Sequence, residues 1–161
     1  MSPGMMYLAF KFFPPYWGTG IRVTMIASDF KRLKVTLPLR WYNRNLRGTH
    51  FGGNLFSMTD PFYMIMLMNV LGKHYDVWDQ DSHIQFCKPG KGTVFANFEL
   101  SNETVANIIE NTRQGRKVTP KFVIDIQDES GQIVAQVTKT IYIRQRKTRR
   151  QTLESSHDIA A

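Results

Sequence analysis

A Gly-Gly pair and a single acidic residue stand eight positions apart in an apolar stretch of the chain. Gly52 and Gly53 have no side chain to keep a ligand away from the backbone. A helix that begins there directs free N–H groups, with partial positive charge, at whatever lies in front of it. Asp60 follows as the only carboxylate between Asp29 and Asp76. A carboxylate among apolar neighbours requires an explanation, so the spacing indicates a site that combines an oxyanion donor with an acid or base.

The sequence leaves the local structure at Asp60 and Pro61 open. Asp followed by Pro is typical of a helix start, in which the carboxylate caps free N–H groups and the proline occupies the first turn. In that interpretation the pair begins a second helix, and Asp60 has no chemical role. A proline inside one longer helix costs about 3 kcal/mol and produces a kink beside Asp60. The two roles are compatible, since a kinked helix still presents the carboxylate.

The same residues carry a resemblance to a known family. The stretch 45–60 resembles the active-site helix of hotdog-fold thioesterases of the phenylacetate-pathway type, with its pattern N-x-x-G-x-x-H-G-G and an Asp eight residues after the first Gly of the pair. The matching positions are Asn45, Gly48, Gly52, Gly53 and Asp60. The sequence departs from the pattern at its His, because Phe51 occupies that position and His50 precedes it. A second stretch, 83–100, is similar to the strand pair that follows the helix, with its Phe-x-x-Pro-Gly turn.

The resemblance implies an α+β hotdog fold, in which an antiparallel sheet wraps around a long central helix, and it implies hydrolysis of acyl-CoA thioesters. The Gly52 N–H, joined by that of Gly53, would stabilise the oxyanion that develops on the thioester oxygen. Asp60 would act as nucleophile or as general base, and the sequence leaves both roles open. Asn45 would orient the water or the carboxylate. His50 would hydrogen-bond the thioester oxygen or the departing thiolate.

Other residues are expected to bind the substrate. Gly53, Ser57 and Phe62 lie along the helix, and the methionines around them adapt to many acyl shapes, so the chain length stays open. Arg144 and Arg146 would hold the phosphates of coenzyme A, or of the phosphopantetheine of an acyl carrier protein. They belong to a basic cluster that also contains Lys147, Arg149 and Arg150. The alternative is that this cluster is a solvated tail.

Helix geometry predicts a site shared between two chains. Eight residues separate Gly52 from Asp60, which is about 12 Å along a helix at 1.5 Å per residue. Reacting atoms must approach to roughly 3 Å, so one Asp60 does not reach a carbonyl held at its own Gly52. Two antiparallel copies in a C2 homodimer solve this by facing Gly52 of one chain with Asp60 of the other. A tetramer of chains is the alternative assembly.

Alternating apolar and polar residues predict the strands of the sheet. The apolar residues at alternate positions are Leu33, Val35, Leu37 and Leu39, then Val94, Ala96, Phe98 and Leu100, then Phe122, Ile124 and Ile126, and last Ile133, Ala135 and Val137. Pro38 indicates an edge strand or a strand end. The last two strands form a hairpin over 128–131. Ser101 or Asn102 caps a helix that ends before Gly115.

Length and composition indicate one domain. The chain of 161 residues is 42% hydrophobic, which is sufficient for one core. We expect a single hotdog domain over 1–147 with a short N-terminal helical segment, followed by a basic and polar tail over 148–161. The single cysteine, Cys87, excludes an internal disulfide bond and fits a reducing compartment, so we expect a cytoplasmic protein.

Several function classes are disfavoured. The opening apolar residues are interrupted by Lys11 and ended by Pro14, which argues against a signal peptide, and no stretch has the length of a membrane span. The net charge of +8 raises the question of nucleic-acid binding, but no zinc-ligand spacing, RNA-binding motif or basic recognition helix supports it. No His, Cys, Asp or Glu set has metal-ligand spacing, so we expect no metal and no cofactor, with the acyl thioester as substrate.

Two other classes compete with the thioesterase. His50 and Phe51 faintly resemble the His-Phe-Pro start of hotdog dehydratases, but that family places its acid where this chain has Met64. The second alternative is a non-catalytic acyl-binding protein in which Asp60 is only a cap. Thiol release from saturated and enoyl acyl-CoAs, followed separately from the enoyl absorbance, distinguishes hydrolysis, hydration and inert binding.

Overall fold

The strands of the chain form one antiparallel sheet that wraps around two consecutive helices. The computed structural model describes residues 2–146. The helices are α1 (Pro3–Lys11), α2 (Pro14–Thr19), α3 (Gly52–Ser57), α4 (Phe62–Leu71) and α5 (Asn102–Asn111), with a short 3-10 helix at Arg113–Gly115. The strands are β1 (Arg22–Ile26), β2 (Arg32–Pro38), β3 (Tyr75–Phe86), β4 (Thr93–Glu99), β5 (Lys117–Val118), β6 (Lys121–Asp128) and β7 (Ile133–Gln145).

The order of the strands places β1 and β3 at the two ends of the sheet. The order is β1-β2-β4-β6-β7-β3, and β5 pairs with β7 away from this path. The longest pairing joins β3 to β7, from Tyr75 opposite Gln145 to Phe86 opposite Ala135. A bulge between Asp79 and Asp81 interrupts it. Because an extra residue reverses the alternation of side chains, the bulge sets which β3 residues face the helices.

The central helices fill the concave side of the sheet. Along α3 and α4 the buried residues are Leu55, Met58, Phe62, Tyr63, Met66 and Leu67. Their partners are the inward rows of the strands, among them Leu33, Val35, Leu37, Val94, Ala96 and Phe98. α4 is apolar nearly all round, as expected for a helix that a sheet covers. The predicted α+β fold is confirmed, with the central helix divided into two segments at 58–61.

The predicted strands correspond to β2, β4, β6 and β7. Pro38 is the last residue of β2, which lies between β1 and β4, so this proline marks a strand end and not an edge strand. The hairpin between β6 and β7 turns at Gly131, whose φ of 80° favours glycine. Ser101 caps α5 by accepting a hydrogen bond from the Thr104 N–H at 3.0 Å. The predicted tail at 148–161 lies outside the described residues.

The expected N-terminal helical segment consists of two short helices that cover one end of the sheet. α1 packs along β1, and Ser2 caps its first turn. Tyr16 of α2 stacks on Phe10 and contacts Phe62 at the start of α4, with ring centroids 5.5 and 5.9 Å apart. The segment therefore closes the core beside the break between α3 and α4. In the part of the chain that the structure describes, no helix is long and apolar enough to cross a membrane.

Candidate active site

Asp60 lies in the break between α3 and α4, and its carboxylate forms an ion pair with Lys139 of β7. The helix that follows begins with Pro61 at its N-cap position and receives no side-chain cap. The prediction that a second helix starts after Asp60 and Pro61 is confirmed, but the prediction that Asp60 caps it is wrong, because the carboxylate binds the Lys139 ammonium group instead of helix N–H groups. The side chain of Asp60 is 54% exposed, so a ligand in front of it has access to the carboxylate.

Lys139, like Asp79 and Tyr16, is a residue of this site that the sequence did not predict. It is 1% exposed, and lysine is almost never buried without a partner. Its Nζ pairs with Asp60 and lies 3.4 Å from Oδ1 of Asp79, and it stands 5.8 Å from the centroid of the Phe56 ring. The available signal was the alternation along β7. Lys139 occupies a position in the row of inward residues formed by Ala135, Val137, Ile141 and Ile143.

Asp79 provides a second carboxylate to Lys139. It lies on β3 opposite Ile141, immediately before the bulge. Burial raises the pKa of Asp79, the nearby Lys139 opposes this rise, and the negative charge of Asp60 adds to it. Oδ1 of Asp79 has no well-aligned hydrogen bond, so the 3.4 Å contact with Lys139 is a charge interaction. Among residues 2–146, no three His, Cys, Asp or Glu side chains lie close enough together to hold a metal ion.

Tyr16 fixes the backbone at Asp60 from the opposite direction. Its hydroxyl donates a hydrogen bond to the Asp60 carbonyl oxygen. Burial raises the pKa of Tyr16 well above its usual value, and the negative charge of Asp60 contributes to the rise. The hydroxyl is therefore neutral and acts as a donor. The segment around Asp60 is held by α2 through its backbone and by β7 through its side chain.

Gly52 and Gly53 form the first turn of α3. Within residues 2–146 neither N–H has a hydrogen-bond acceptor, as expected at a helix start. A Cβ at Gly52 would lie 2.9 Å from the Phe86 ring, and one at Gly53 would lie 2.5 Å from the Phe51 ring. The exposed rings of Phe86 and Phe51 thus lie close to the backbone of the two glycines, and a side chain at either glycine would displace its neighbouring ring. The free N–H groups have the chemistry of an oxyanion donor.

Asn45 and His50 organise the loop before α3. The Asn45 side chain donates to Oγ1 of Thr49 at 2.9 Å and to the His50 carbonyl at 3.2 Å. The His50 ring is buried, and its Nε2 lies 3.0 Å from the Gly92 carbonyl oxygen. Burial lowers the pKa of His50, and the hydrogen bond to Gly92 opposes the shift. Both side chains are therefore engaged by their own chain, and their contact with substrate stays a prediction.

Ser57 and Phe62 stand on either side of the helix break. The Ser57 hydroxyl donates to the Gly53 carbonyl at 2.8 Å, one turn earlier in α3. Phe62 is completely buried and contacts Phe10, Tyr16 and Phe98. Ser57 is therefore engaged within α3, and Phe62 belongs to the core. Substrate binding by Gly53, Ser57 and Phe62 stays a prediction.

Arg144 lies near the end of β7, and Arg146 directly follows its last residue. Nε of Arg144 donates to the Gly115 carbonyl at 2.8 Å, and Nε of Arg146 pairs with Asp76 at 2.7 Å. Five residues separate Arg144 from Lys139, which is about 17 Å along a strand and places the two side chains on opposite faces. The structure therefore does not bring these arginines to Asp60 within one chain. Lys147, Arg149 and Arg150 lie outside the described residues.

A family model covers nearly the whole described chain. The model is that of the domain of unknown function DUF4442, and it matches residues 5–143. The chain belongs to the DUF4442 family. A comparison with curated proteins found no significant match. The description of the DUF4442 family states no function, so structures with a similar fold provide the remaining comparison.

Solved structures similar to this DUF4442 domain are hotdog proteins. A probable thioesterase from Pseudomonas aeruginosa has a TM-score of 0.78 at 16% identity, over 91% of this chain and 97% of its own. A thioesterase from Haemophilus influenzae has a TM-score of 0.64 at 14% identity, over 92% and 94%. The PaaI protein of the Escherichia coli phenylacetic acid degradation operon has a TM-score of 0.60 at 17% identity, over 89% and 91%. At these identities the likeness establishes the hotdog fold.

Proposed function

We propose that the protein is an acyl-CoA thioesterase whose active sites form between two identical chains, with Asp60 as general base or nucleophile. The observation that carries this proposal is the Asp60 carboxylate, which is half-exposed at the helix break and held from behind by Lys139. A carboxylate that only neutralised the charge of a buried lysine would not have to be exposed to solvent. Its position also matches that of the acid in the thioesterase pattern, and the thioesterase names of the structural neighbours support the reaction class.

Either role of Asp60 yields a balanced hydrolysis. As a base, Asp60 removes a proton from water while the water oxygen attacks the thioester carbonyl, and the carbonyl oxygen becomes an oxyanion. The oxyanion then re-forms the carbonyl and breaks the C–S bond, and the departing thiolate takes the proton from Asp60. As a nucleophile, its carboxylate attacks the carbonyl, expels the thiolate and forms an anhydride that water then hydrolyses. In both cases the Gly52 N–H donates to the oxyanion, and the products are a carboxylic acid and free coenzyme A.

The proposal of a shared site follows from the length of α3. Gly52 begins this helix, and Asp60 lies beyond its end at Ser57. Six helical residues span about 9 Å, whereas reacting atoms must approach to roughly 3 Å. A second chain related by a two-fold axis supplies the missing group at each end.

The edge strand β3 is the proposed contact between the two chains. It has 12 residues, ends the sheet, and carries the exposed rings of Trp78 and Phe86. A long unpaired edge strand is a ready template for pairing with another strand. Because Phe86 also contacts Gly52, pairing at β3 brings the partner close to the start of α3.

The phosphates of coenzyme A are assigned to the loop before α3. Arg44 and Arg47 are exposed there and line a cavity of about 550 Å³ together with Trp41, which is 80% exposed. Guanidinium groups bind phosphates, and an indole ring stacks on a planar base. Arg144 and Arg146 stay predicted phosphate ligands as well. Their existing hydrogen bonds leave them less available than Arg44 and Arg47.

The reaction class is tested by incubating the purified protein with saturated and 2-enoyl acyl-CoAs of several lengths. Free thiol is followed with a thiol reagent, and the enoyl absorbance is followed separately. We expect thiol release from both kinds of substrate with no loss of enoyl absorbance beyond that which hydrolysis causes. Loss of the enoyl chromophore without thiol release would assign a hydratase. Binding without either change would assign a non-catalytic acyl-binding protein.

A further inference from the structure

A second cavity lies between the N-terminal helices and the edge strand β1, away from the Asp60 carboxylate. Its volume is about 1010 Å³, at the upper end of the range of about 300–1,000 Å³ that small-molecule sites occupy. Six aromatic side chains line it: Tyr7, Phe10, Phe12, Tyr16, Trp17 and Tyr42. Asp60 is not among the lining residues, although Tyr16 contacts the Asp60 carbonyl from the other side. The cavity therefore is a separate site that shares one wall with the candidate active site.

The shape of the cavity follows the strand. Its lining includes every residue from Gly20 to Thr24, with the buried aliphatic side chains of Ile21 and Val23. Gly20 and Ile21 precede β1, and Arg22, Val23 and Thr24 begin it, so the cavity lies along the start of this strand. Aromatic rings and aliphatic side chains together form walls that suit an alkyl chain.

Basic side chains in the lining indicate that the ligand carries a negatively charged group. Lys11 and Arg22 line the cavity and are exposed, and neither forms an ion pair within residues 2–146. The described lining contains no acidic residue. The surrounding sequence has the same sign, because residues 1–59 contain eight Lys and Arg but only one acidic residue, Asp29. An anionic group is thus favoured at this rim.

Exposed aromatic side chains are the third observation. Trp17 is 82% exposed and Phe12 is 71% exposed, and both line the cavity. Exposed apolar surface that is shared by several side chains around one cavity is typical of a ligand-binding site. We propose that this N-terminal cavity binds a linear fatty acid, with its alkyl chain along β1 and its carboxylate at Lys11 and Arg22. This proposal is independent of hydrolysis at Asp60.

The test is a calorimetric titration of the full chain with decanoate below its micelle concentration, with decanol as the uncharged match. Three changes are compared: Trp17→Ser, Trp41→Ser, and Lys11→Gln combined with Arg22→Gln. Trp41 is the matched control, since it is as exposed as Trp17 but does not line the cavity. Because all four side chains are exposed, circular dichroism should show unchanged folding.

We expect one decanoate per chain in the wild type. Trp17→Ser should weaken it at least about fivefold through lost apolar contact, while Trp41→Ser leaves it unchanged. The combined Lys11 and Arg22 changes should weaken the binding of decanoate about tenfold and leave the binding of decanol unchanged. Only decanoate carries a charge that these two side chains can pair with. Asp60→Asn should leave decanoate binding unchanged. The proposal is overturned by absent binding, by equal binding to Trp17→Ser and wild type, by equal weakening of decanol, or by loss of binding in Asp60→Asn.

Discussion

The ammonium group of Lys139 is buried on the inner side of the sheet. It forms an ion pair with the half-exposed carboxylate of Asp60, which lies 79 positions earlier in the chain. Asp79 approaches the same ammonium group at 3.4 Å. One carboxylate thus faces outward and the other is held inside, although both share a cation. In the proposed mechanism, Lys139 is a positioning residue, because its ion pair sets the direction of the Asp60 carboxylate.

A double-mutant cycle measures this pairing. Asp60→Asn, Lys139→Met and their combination are compared by urea unfolding. We expect Lys139→Met alone to lower the free energy of unfolding by about 1–3 kcal/mol, less than for a fully buried pair, because water reaches Asp60. Since the amide of Asp60→Asn keeps an acceptor for Lys139, the cycle measures the charge part of the pairing. The coupling energy should be on the order of 1 kcal/mol. The exposed pair of Glu110 and Arg113 is the control, with coupling near zero. Additive effects at Asp60 and Lys139 would contradict the assigned pairing.

Protonation of His50 should make the protein less stable in mild acid. Burial lowers the pKa of His50 from its usual value of 6.5, so the unfolded chain binds this proton more readily than the folded one. The His50 contribution is therefore fully present above pH 6.5 and is lost as pH falls below it, by at most about 1.4 kcal/mol per pH unit. Urea unfolding from pH 8 to pH 5 checks this.

Two glutamine variants separate this effect from other titrating groups. His50→Gln should flatten the decline between pH 6.5 and pH 5, while His83→Gln, at an exposed site on β3, should leave it unchanged. An identical decline in His50→Gln and wild type would show that another group causes the acid sensitivity.

The two arginine pairs should differ in their effect on the Michaelis constant. Arg44→Gln combined with Arg47→Gln should raise KM for acyl-CoA about tenfold while kcat changes little, because phosphates lie far from the reacting carbonyl. Arg144→Gln combined with Arg146→Gln should raise KM less, since both side chains already bind Gly115 and Asp76. Added salt should mimic the first change. A larger rise in KM for the Arg144 and Arg146 variant would assign phosphate binding to the end of β7 instead.

Mixing of inactive variants should restore activity if two chains build each site. Asp60→Asn and Gly52→Pro each remove one group, and a random mixture of dimers should regain about a quarter of the wild-type rate, since half the dimers have one intact site. Gly52→Ala is the matched control, because it keeps the N–H but displaces Phe86 in the same way. No recovery despite proven chain exchange would place both groups of each site in one chain or exclude Gly52 as the donor.

The sequence predicts the local elements of this fold better than its long-range contacts. The strands β2, β4, β6 and β7 were predictable because each keeps an apolar residue at every second position. Alternation did not predict β3, since Asp79 faces inward and the bulge after it reverses the alternation, and only its end from His83 was indicated, by the resemblance. The pairing of Lys139 with Asp60 depends on where β7 lies against the helix break. Only the presence of a lysine in an otherwise apolar row pointed to it.

Only the local part of the candidate site could be predicted from the sequence. A short motif specified Gly52 and Asp60, whose positions at the start of one helix and just beyond its end follow from a few neighbouring residues. The engagement of His50 by Gly92 could not be predicted, because it joins residues 42 positions apart through the packing of two loops. The N-terminal cavity likewise forms only when α1, α2 and β1 come together.

The most direct test of the central claim is the rate of thiol release from acyl-CoA by Asp60→Asn beside Asp79→Asn. The amide in Asp60→Asn keeps the shape of the carboxylate and an acceptor for Lys139, so the melting temperature should change by only a few degrees. We expect a rate lower by about two to three orders of magnitude for Asp60→Asn, as for loss of a catalytic base or nucleophile, and a far smaller loss for Asp79→Asn. A near-wild-type rate in Asp60→Asn, or equal losses in both variants, would contradict the assignment of Asp60 as the catalytic carboxylate.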